Sequence, residues 1–119
     1  MQTSQNHIHI LLIDDHKMMR SGLSSLLEKE TDFSIIGAAE SEEQAVKILE
    51  KQDADVALIN LSRQDSATSN CVRVVRDFFP EMAILVITDR NQKDYFRTMI
   101  RAGANGIVFS QSDPDSLRL

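Results

Sequence analysis

The chain has 119 residues, 42% of them hydrophobic, which is enough for one compact core and short for two ordinary domains. Its net charge of -5 at pH 7 disfavours nonspecific binding to nucleic acid, which needs clustered Lys and Arg. No stretch approaches the ~20 apolar residues of a membrane helix, and the polar start is unlike a secretion signal, which favours a cytoplasmic protein without membrane contact.

The first half of the chain alternates between apolar runs and amphipathic segments. Ile8 to Ile13 is nearly continuous apolar sequence and predicts a buried central strand. His16 to Glu30 has apolar residues at helical spacing and predicts a helix. Phe33 to Ala39 predicts a second strand, and Ser41 opens a capping-box pattern that runs to Gln44 and starts a second helix. The expected buried positions of the first helix are Met19, Leu23, Leu26 and Leu27.

The alternation continues in the middle of the chain. Asp55 to Asn60 predicts a third strand, and the polar stretch Ser62 to Asn70 predicts a loop. A third helix is expected to run through Val72 and Val75 until Pro80 ends it.

The last third repeats the pattern twice more. Ala83 to Thr88 predicts a fourth strand, and Gln92 to Ala102 predicts a helix with Gly103 as its C-cap. Gly106 to Phe109 predicts a short fifth strand. Ser112-Asp113-Pro114 is typical of a helix start, so we expect a fifth helix that is truncated by the end of the sequence.

Five strands that alternate with helices predict an α/β fold, a parallel sheet with helices on both faces and right-handed crossovers. Ligands of such sheets bind at the carboxyl ends of the strands. The polar side chains at those ends are expected to form one pocket: Asp14, Asp15, Asn60, Thr88 and Ser110.

Four segments in this order carry a family resemblance: Ile10-Leu11-Leu12-Ile13-Asp14-Asp15-His16, Asp55-Val56-Ala57-Leu58-Ile59-Asn60-Leu61, Ile84-Leu85-Val86-Ile87-Thr88 and Arg101-Ala102-Gly103-Ala104-Asn105-Gly106-Ile107. Together they resemble the receiver domain of bacterial two-component response regulators. The subfamily in which a LuxR-type helix-turn-helix domain follows the receiver is the most similar. The resemblance implies a doubly wound, flavodoxin-like sheet of order 2-1-3-4-5 over residues 1–119, with a DNA-binding domain beyond Leu119.

The resemblance also assigns roles to the residues of the pocket. In the family, an acidic pair and a phosphate-accepting aspartate hold Mg²⁺, and a hydroxyl and a lysine grip the new phosphate. By position, Asp14 and Asp15 match the acidic pair and Thr88 matches the hydroxyl. Asn60 stands at the acceptor position and Ser110 at the lysine position. Two of the five central groups therefore depart from the family pattern.

Two further departures lie beside these. Ile107 stands at a position where the family usually has an aromatic side chain that moves when the hydroxyl group moves. The segment after the acceptor position, Leu61-Ser62-Arg63-Gln64, lacks the Met-Pro step that is usual there. Ser62 also belongs to the weakened metal-binding set, with Asp14, Asp15 and Asn60. Arg63 is either a source of local positive charge or a solvated loop residue.

A carboxamide at the acceptor position changes the chemistry. Phosphoryl transfer to a side chain needs an anionic oxygen nucleophile, which neutral Asn60 lacks. Replacing one of three carboxylates also removes charge from a cation site, so Mg²⁺ is expected to bind weakly, and no other cofactor is expected.

Other residues allow a functional and a structural interpretation. Tyr95, Phe96 and Ile100 lie on the fourth helix, which in the family helps to form the dimer face, and core packing explains part of this set. His7 and His9 are interpreted as a solvated strand entry, since no third metal ligand is evident. Met18 and Met19 are expected to fill gaps in the core, and the single cysteine, Cys71, is expected to be a small core residue.

Three hypotheses remain at this stage. The first is a degenerate receiver without enzymatic activity that is not switched by aspartyl phosphorylation and serves a transcription factor as a regulatory or homodimerisation module. Its output would be set by partner binding, a small ligand or cellular concentration, with a sensor kinase or another protein as partner. The second is a phosphorylatable receiver that uses another acceptor, such as Asp65, or whose native residue at position 60 is aspartate. The third is a flavin or nucleotide binder of similar fold, which the lack of a Gly-rich phosphate loop disfavours.

Overall fold

The structure is a computed structural model that describes residues 7–61, 65–89 and 93–109. Strands and helices alternate along these ranges, as the sequence predicts. The strands are β1 (Ile8–Asp14), β2 (Phe33–Ala39), β3 (Val56–Asn60), β4 (Ala83–Thr88) and β5 (Gly106–Phe109). The helices are α1 (Lys17–Glu28), α2 (Glu42–Leu49), α3 (Asp65–Phe78) and α4 (Lys93–Ala102).

The five strands form one parallel sheet of order β2-β1-β3-β4-β5, which confirms the predicted flavodoxin-like topology. The pairing brings the carboxyl ends of the strands to one edge. Asp14 pairs with Asn60 across β1 and β3, and Thr88 pairs with Phe109 across β4 and β5. This edge therefore holds the pocket residues that the sequence predicts for β1, β3 and β4.

The central strands β1, β3 and β4 bury both of their faces, because their residues alternate between two cores. On β1, Leu11 and Ile13 enter the larger core, which α2, α3 and α4 cover. Ile10 and Leu12 enter the smaller core, which contains Leu27 of α1. Burial on both faces explains why the central strands read as continuous apolar runs. Cys71 is fully buried in the larger core, as predicted.

The third helix differs from the prediction. It begins at Asp65, so the second half of the stretch that was predicted as a loop is helical. Thr68 and Ser69 are buried, and Thr68 precedes Val72 and Val75 at helical spacing. Because these buried residues are polar, the first half of α3 does not show the apolar spacing by which a helix is predicted. The side chain of Asp65 is not among those the structure describes.

The first helix is also less buried than predicted. Leu27 is buried and Leu23 is half-buried, whereas Leu26 is exposed. Met18 is 80% and Met19 48% exposed, so the expectation that these two methionines fill the core is wrong. They lie in the first turn of α1, beyond the part of the helix that packs on the sheet.

Two helix caps match the sequence patterns. Ser41 Oγ accepts a 3.3 Å hydrogen bond from the amide of Gln44, while Gln44 Oε1 accepts one of 3.0 Å from the amide of Glu40. Gly103 ends α4 with φ +125°, a conformation that favours glycine. The predicted start of the fourth helix at Gln92 and the fifth helix after Ser112 lie outside the described residues.

Candidate functional site

Asp14 is the centre of the carboxyl edge of the sheet. It is the last residue of β1, and its side chain is fully buried. Oδ1 accepts a 2.8 Å hydrogen bond from the amide of His16, in the turn that leads into α1. Oδ2 accepts a 3.0 Å hydrogen bond from Nδ2 of Asn60. Each carboxylate oxygen of Asp14 therefore already has a donor from the protein.

Asn60 is held beside Asp14 by the register of the sheet. It ends β3, pairs with Asp14 across the two central strands and is half-buried. A carboxylate can only accept hydrogen bonds, so the amide must turn its nitrogen toward it. An aspartate at the same position would instead place a second negative charge against a buried carboxylate.

Burial is the main influence on the charge of Asp14. Loss of hydration raises the pKa of its carboxyl above the ordinary value of 3.8, and nearby Asp15 acts in the same direction. The hydrogen bonds from His16 and Asn60, and the positive charge of Arg20, lower the pKa in part. The pocket is thus an electrostatically costly place for a carboxylate, and Asn60 offsets some of that cost.

Arg20 belongs to this site and was missed by the sequence analysis. One of its guanidinium nitrogens donates a 2.8 Å hydrogen bond to the backbone oxygen of Asp14, and another lies 3.9 Å from Oε2 of Glu40. The signal was its position in the first turn of α1, six residues after Asp14, which returns a long side chain to the end of β1. Positive charge beside the acidic pair thus comes from α1. The alternative source, Arg63, lies outside the described residues.

Three other residues of the predicted pocket lie in the described part of the chain. Asp15 is half-buried in the turn after β1, and Thr88 is buried at the end of β4. Ile107, in β5, packs against the larger core. Ser62 and Ser110 lie outside the described residues, so the structure adds nothing to their expected roles.

The donor set fits a magnesium ion poorly. Mg²⁺ is usually held by one or two carboxylates together with water, and both oxygens of Asp14 already accept hydrogen bonds within the protein. The amide of Asn60 presents its nitrogen, not its oxygen, to Asp14. Among the described residues, no three His, Cys, Asp or Glu side chains are placed to share a metal ion.

The two histidines near the start of β1 are not placed to share a metal ion with a third ligand in the described part of the chain. His7 and His9 are half-buried at the opposite end of the strand. Nδ1 of His9 lies 3.4 Å from Oδ2 of Asp55, and that oxygen also accepts a 2.8 Å hydrogen bond from the amide of His9. The contacts between His9 and Asp55 thus connect β1 to the residue that precedes β3.

Only part of the interface set that the sequence predicts on α4 is exposed at the surface. Tyr95 is buried in the larger core, which matches the alternative of core packing for that residue. Phe96 is half-buried, and its ring centroid lies 5.4 Å from that of Phe109. Ile100 is 50% exposed and leaves an apolar side chain at the surface between Arg97 and Arg101.

The sheet order and the acidic carboxyl edge define the class of protein: a five-stranded, doubly wound α/β domain with a polar pocket at the carboxyl ends of its strands. The family described as response regulator receiver domain matches residues 10–119, and the chain belongs to this family. Its relatives place it with the receiver domains of LuxR-family response regulators in two-component signalling.

Two curated relatives illustrate the match. The transcriptional regulatory protein DegU of Brevibacillus brevis is 28% identical over 116 residues, 98% of this chain and 49% of the relative. The nitrate/nitrite response regulator protein NarL of Escherichia coli K12 is 28% identical over 115 residues, 97% of this chain and 53% of the relative. The chain spans about half the length of these relatives.

Solved structures share the fold. A LuxR-family two-component response regulator from Aurantimonas superposes with a TM-score of 0.85 at 24% identity, over 94% of this chain and 80% of that one. The isolated receiver domain of Salmonella RcsB, determined with a beryllofluoride phosphomimetic, superposes with a TM-score of 0.81 at 24% identity, over 95% and 85% of the two chains. No helix in the described ranges has the length and apolar character needed to cross a bilayer.

Proposed function

We propose that this chain is an atypical receiver whose output does not depend on aspartyl phosphorylation. The observation that carries the proposal is the hydrogen bond between Nδ2 of Asn60 and Oδ2 of Asp14. It places a neutral donor where phosphoryl transfer requires an anionic nucleophile. It also satisfies an oxygen that a catalytic cation would need.

The same hydrogen bond supports a pocket locked in one state. Asp14 holds the end of β1, the turn at His16 and the end of β3 together through contacts within the protein. Arg20 adds positive charge from α1. A carboxylate whose two oxygens already accept hydrogen bonds within the protein gains less from Mg²⁺ and phosphate, so their arrival would not drive a switch.

The groups that read out a phosphate in the family are also changed. Ile107 has no polar atom with which to follow Thr88, and Ser110 supplies no cation to pair with a phosphate. Nucleophilic attack on a phosphoryl donor, neutralisation of the phosphate charge and the side-chain response to the phosphate are therefore each weakened by a separate substitution. A binding module without enzymatic activity accounts for all three.

We propose regulation through protein contacts as the output. RcsB has been solved as two dimers bound to two parallel DNAs, and by analogy this chain would homodimerise within a transcription regulator in the cytoplasm. The exposed Ile100 on α4 is the candidate dimer contact. DNA would be bound by a helix-turn-helix domain outside residues 1–119, as the greater length of the relatives suggests. A sensor kinase or another protein would be a further partner.

Retention of Asp14, Asp15 and Thr88 favours a second candidate, a receiver that still takes part in phosphorelay. In that case Asp65 would act as acceptor, or aspartate would be the native residue at position 60. Binding of a flavin or nucleotide is weaker still as a candidate, because no Gly-rich loop follows a strand.

Backbone amide NMR spectra with Mg²⁺ and beryllofluoride test the proposal. We expect no displacement of the amide resonances around Asp14, Asn60 and Thr88, and no change in oligomeric state by light scattering. The matched variant Asn60→Asp should respond to Mg²⁺ at the same amides. Displacements in the unmodified chain that saturate with beryllofluoride would reject the proposal.

A further inference from the structure

A cleft lies at the amino end of the sheet, at the opposite end from Asp14 and Asn60. The end of α2 and the segment that leads into β3 form one wall, and the end of α3 with the turn into β4 forms the other. It encloses about 420 Å³, which is within the range of ligand pockets. Its apolar surface comes from Leu49, Ala54, Phe78, Phe79, Pro80 and Met82.

The cleft has walls fixed by backbone contacts. The Arg76 guanidinium donates hydrogen bonds of 3.3, 2.9 and 2.6 Å to the backbone oxygens of Phe79, Pro80 and Met82, the residues of one wall. Across the cleft, the amide of Asp55 donates a 2.7 Å hydrogen bond to the backbone oxygen of His9. The two walls are also joined, because the amide of Ala83 donates to the backbone oxygen of Asp55 at 3.1 Å.

Phe78 makes the mouth of the cleft apolar. Its side chain is 61% exposed, although its neighbour Phe79 turns into the larger core. The two rings contact each other with centroids 6.3 Å apart and a tilt of 41°, so one face of Phe78 remains open. An aromatic ring in this setting offers a surface for an apolar or cationic group.

The rim of the cleft carries only negative charge. Asp53, Asp55 and Glu81 line it, and all three are exposed, whereas no Lys or Arg is among the lining residues. The guanidinium of Arg76, beside one wall, donates hydrogen bonds to the backbone oxygens of Pro80 and Met82. Of the three acids, Asp55 lies 3.4 Å from Nδ1 of His9 through its Oδ2. The cleft therefore presents an apolar floor inside a field that attracts cations.

We propose that this cleft binds a short basic segment of a partner protein. A Lys or Arg side chain of that segment would lie over Phe78 with its charge toward Asp53 and Glu81, and a neighbouring apolar side chain would enter the cavity. A peptide fits better than a small ligand, because the charged rim is exposed and a small ligand is usually 70–90% buried. The inference is independent of Asn60, so it stands or fails separately from the proposed function.

Peptides of matched composition test this proposal. The probes are fluorescein-labelled Gly-Arg-Leu-Arg-Leu-Gly and its counterparts with Glu or Gln in place of Arg, titrated against the intact chain. We expect the Arg peptide to bind about tenfold more tightly than the Gln peptide and to lose affinity as salt rises. Its amide shift perturbations should map to residues 49–55 and 78–82.

Surface variants locate the site. Phe78→Ala, and the double change Asp53→Asn with Glu81→Gln, should each weaken binding about threefold or more. Met18→Ala and Asp94→Asn alter an exposed apolar residue of α1 and an exposed acidic residue of α4, and should leave binding unchanged. Circular dichroism spectra should show that every variant is folded, since all these side chains are exposed.

Three results would overturn the proposal. The first is equal affinity for the Arg and Glu peptides. The second is shift perturbations outside the cleft, for example on α1 or α4. The third is binding of free arginine amide as tight as that of the peptide, which would mark the cleft as a small-molecule site instead.

Discussion

Nδ2 of Asn60 donates a 3.0 Å hydrogen bond to Oδ2 of Asp14, joining the carboxyl ends of the two central strands. In this chain a neutral amide thus stabilises a buried carboxylate at the position where the family keeps a second acid. The contact links the phosphoacceptor position directly to the stability of the fold, and this link can be measured.

The first prediction concerns the residue at position 60. Asn60→Asp should lower the free energy of unfolding by about 1–3 kcal/mol in metal-free buffer, because a hydrogen bond to a charged group is replaced by repulsion. Added Mg²⁺ should restore most of the loss. Asn60→Ala serves as the control, since it loses the same bond without adding charge and should not respond to Mg²⁺. Urea denaturation measures all three chains.

The second prediction concerns pH. Burial raises the pKa of the Asp14 carboxyl in the folded chain above its ordinary value of 3.8. In the pH range between the ordinary pKa and the higher pKa in the folded chain, the folded state binds the proton more tightly than the unfolded state. The contribution of Asp14 to stability therefore declines as pH rises through that window and is constant above it.

Carbon NMR titration of the Asp14 side chain should therefore place its pKa above 3.8. The difference in unfolding free energy between the unmodified chain and Asp14→Asn should change through the same window and level off above it. A carboxyl that titrates at or below its ordinary value would contradict the role assigned to burial.

The fold was largely predictable from the sequence, because its signals are local. Burial of each central strand on both faces gives unbroken apolar runs, and Gly103 marks the end of α4. The start of α3 was missed because Thr68 and Ser69, two polar residues, occupy core positions. The exposure of Met18 and Met19 was also missed, since helical spacing does not show how far along the helix the sheet extends.

The candidate site was predictable only in part. Strand ends placed Asp14, Asn60 and Thr88 at one edge, but the direction of the Asn60 amide follows from a contact across strands. Arg20 was missed for the same reason, because its hydrogen bond to Asp14 depends on how α1 leaves the sheet. The cleft at the opposite end has no sequence motif, since its walls come from α2 and α3.

The third prediction concerns the end of α4. Gly103→Ala should destabilise the chain by about 1–3 kcal/mol, because φ is +125° and an added Cβ would meet Cγ of Arg76 at 2.8 Å. Gly22→Ala is the matched control. Gly22 lies within α1 with nothing within 4 Å of an added Cβ, so this change should stabilise by about 0.5–1 kcal/mol. Equal effects in urea denaturation would contradict this assignment.

The fourth prediction concerns Arg76. Its guanidinium also donates 3.1 and 2.9 Å hydrogen bonds to the backbone oxygen of Gly103 and one of 2.7 Å to Oδ1 of Asn105. Arg76→Lys should lower the free energy of unfolding by about 2 kcal/mol, since an ammonium group cannot donate to all of these acceptor oxygens at once. Arg73→Lys, on the exposed side of α3, should change stability by less than ~0.5 kcal/mol. Similar losses for both variants in thermal unfolding would argue against a special role for Arg76.

The most direct test of the central claim is the intact mass of the chain, measured at acidic pH after incubation with Mg²⁺ and acetyl phosphate. The variant with Asn60→Asp and Ser110→Lys is the positive control and should gain one phosphoryl group. The account predicts that the unmodified chain keeps its original mass under the same conditions. A phosphoryl group on the unmodified chain, whether at position 60 or on another side chain such as Asp65, would contradict it.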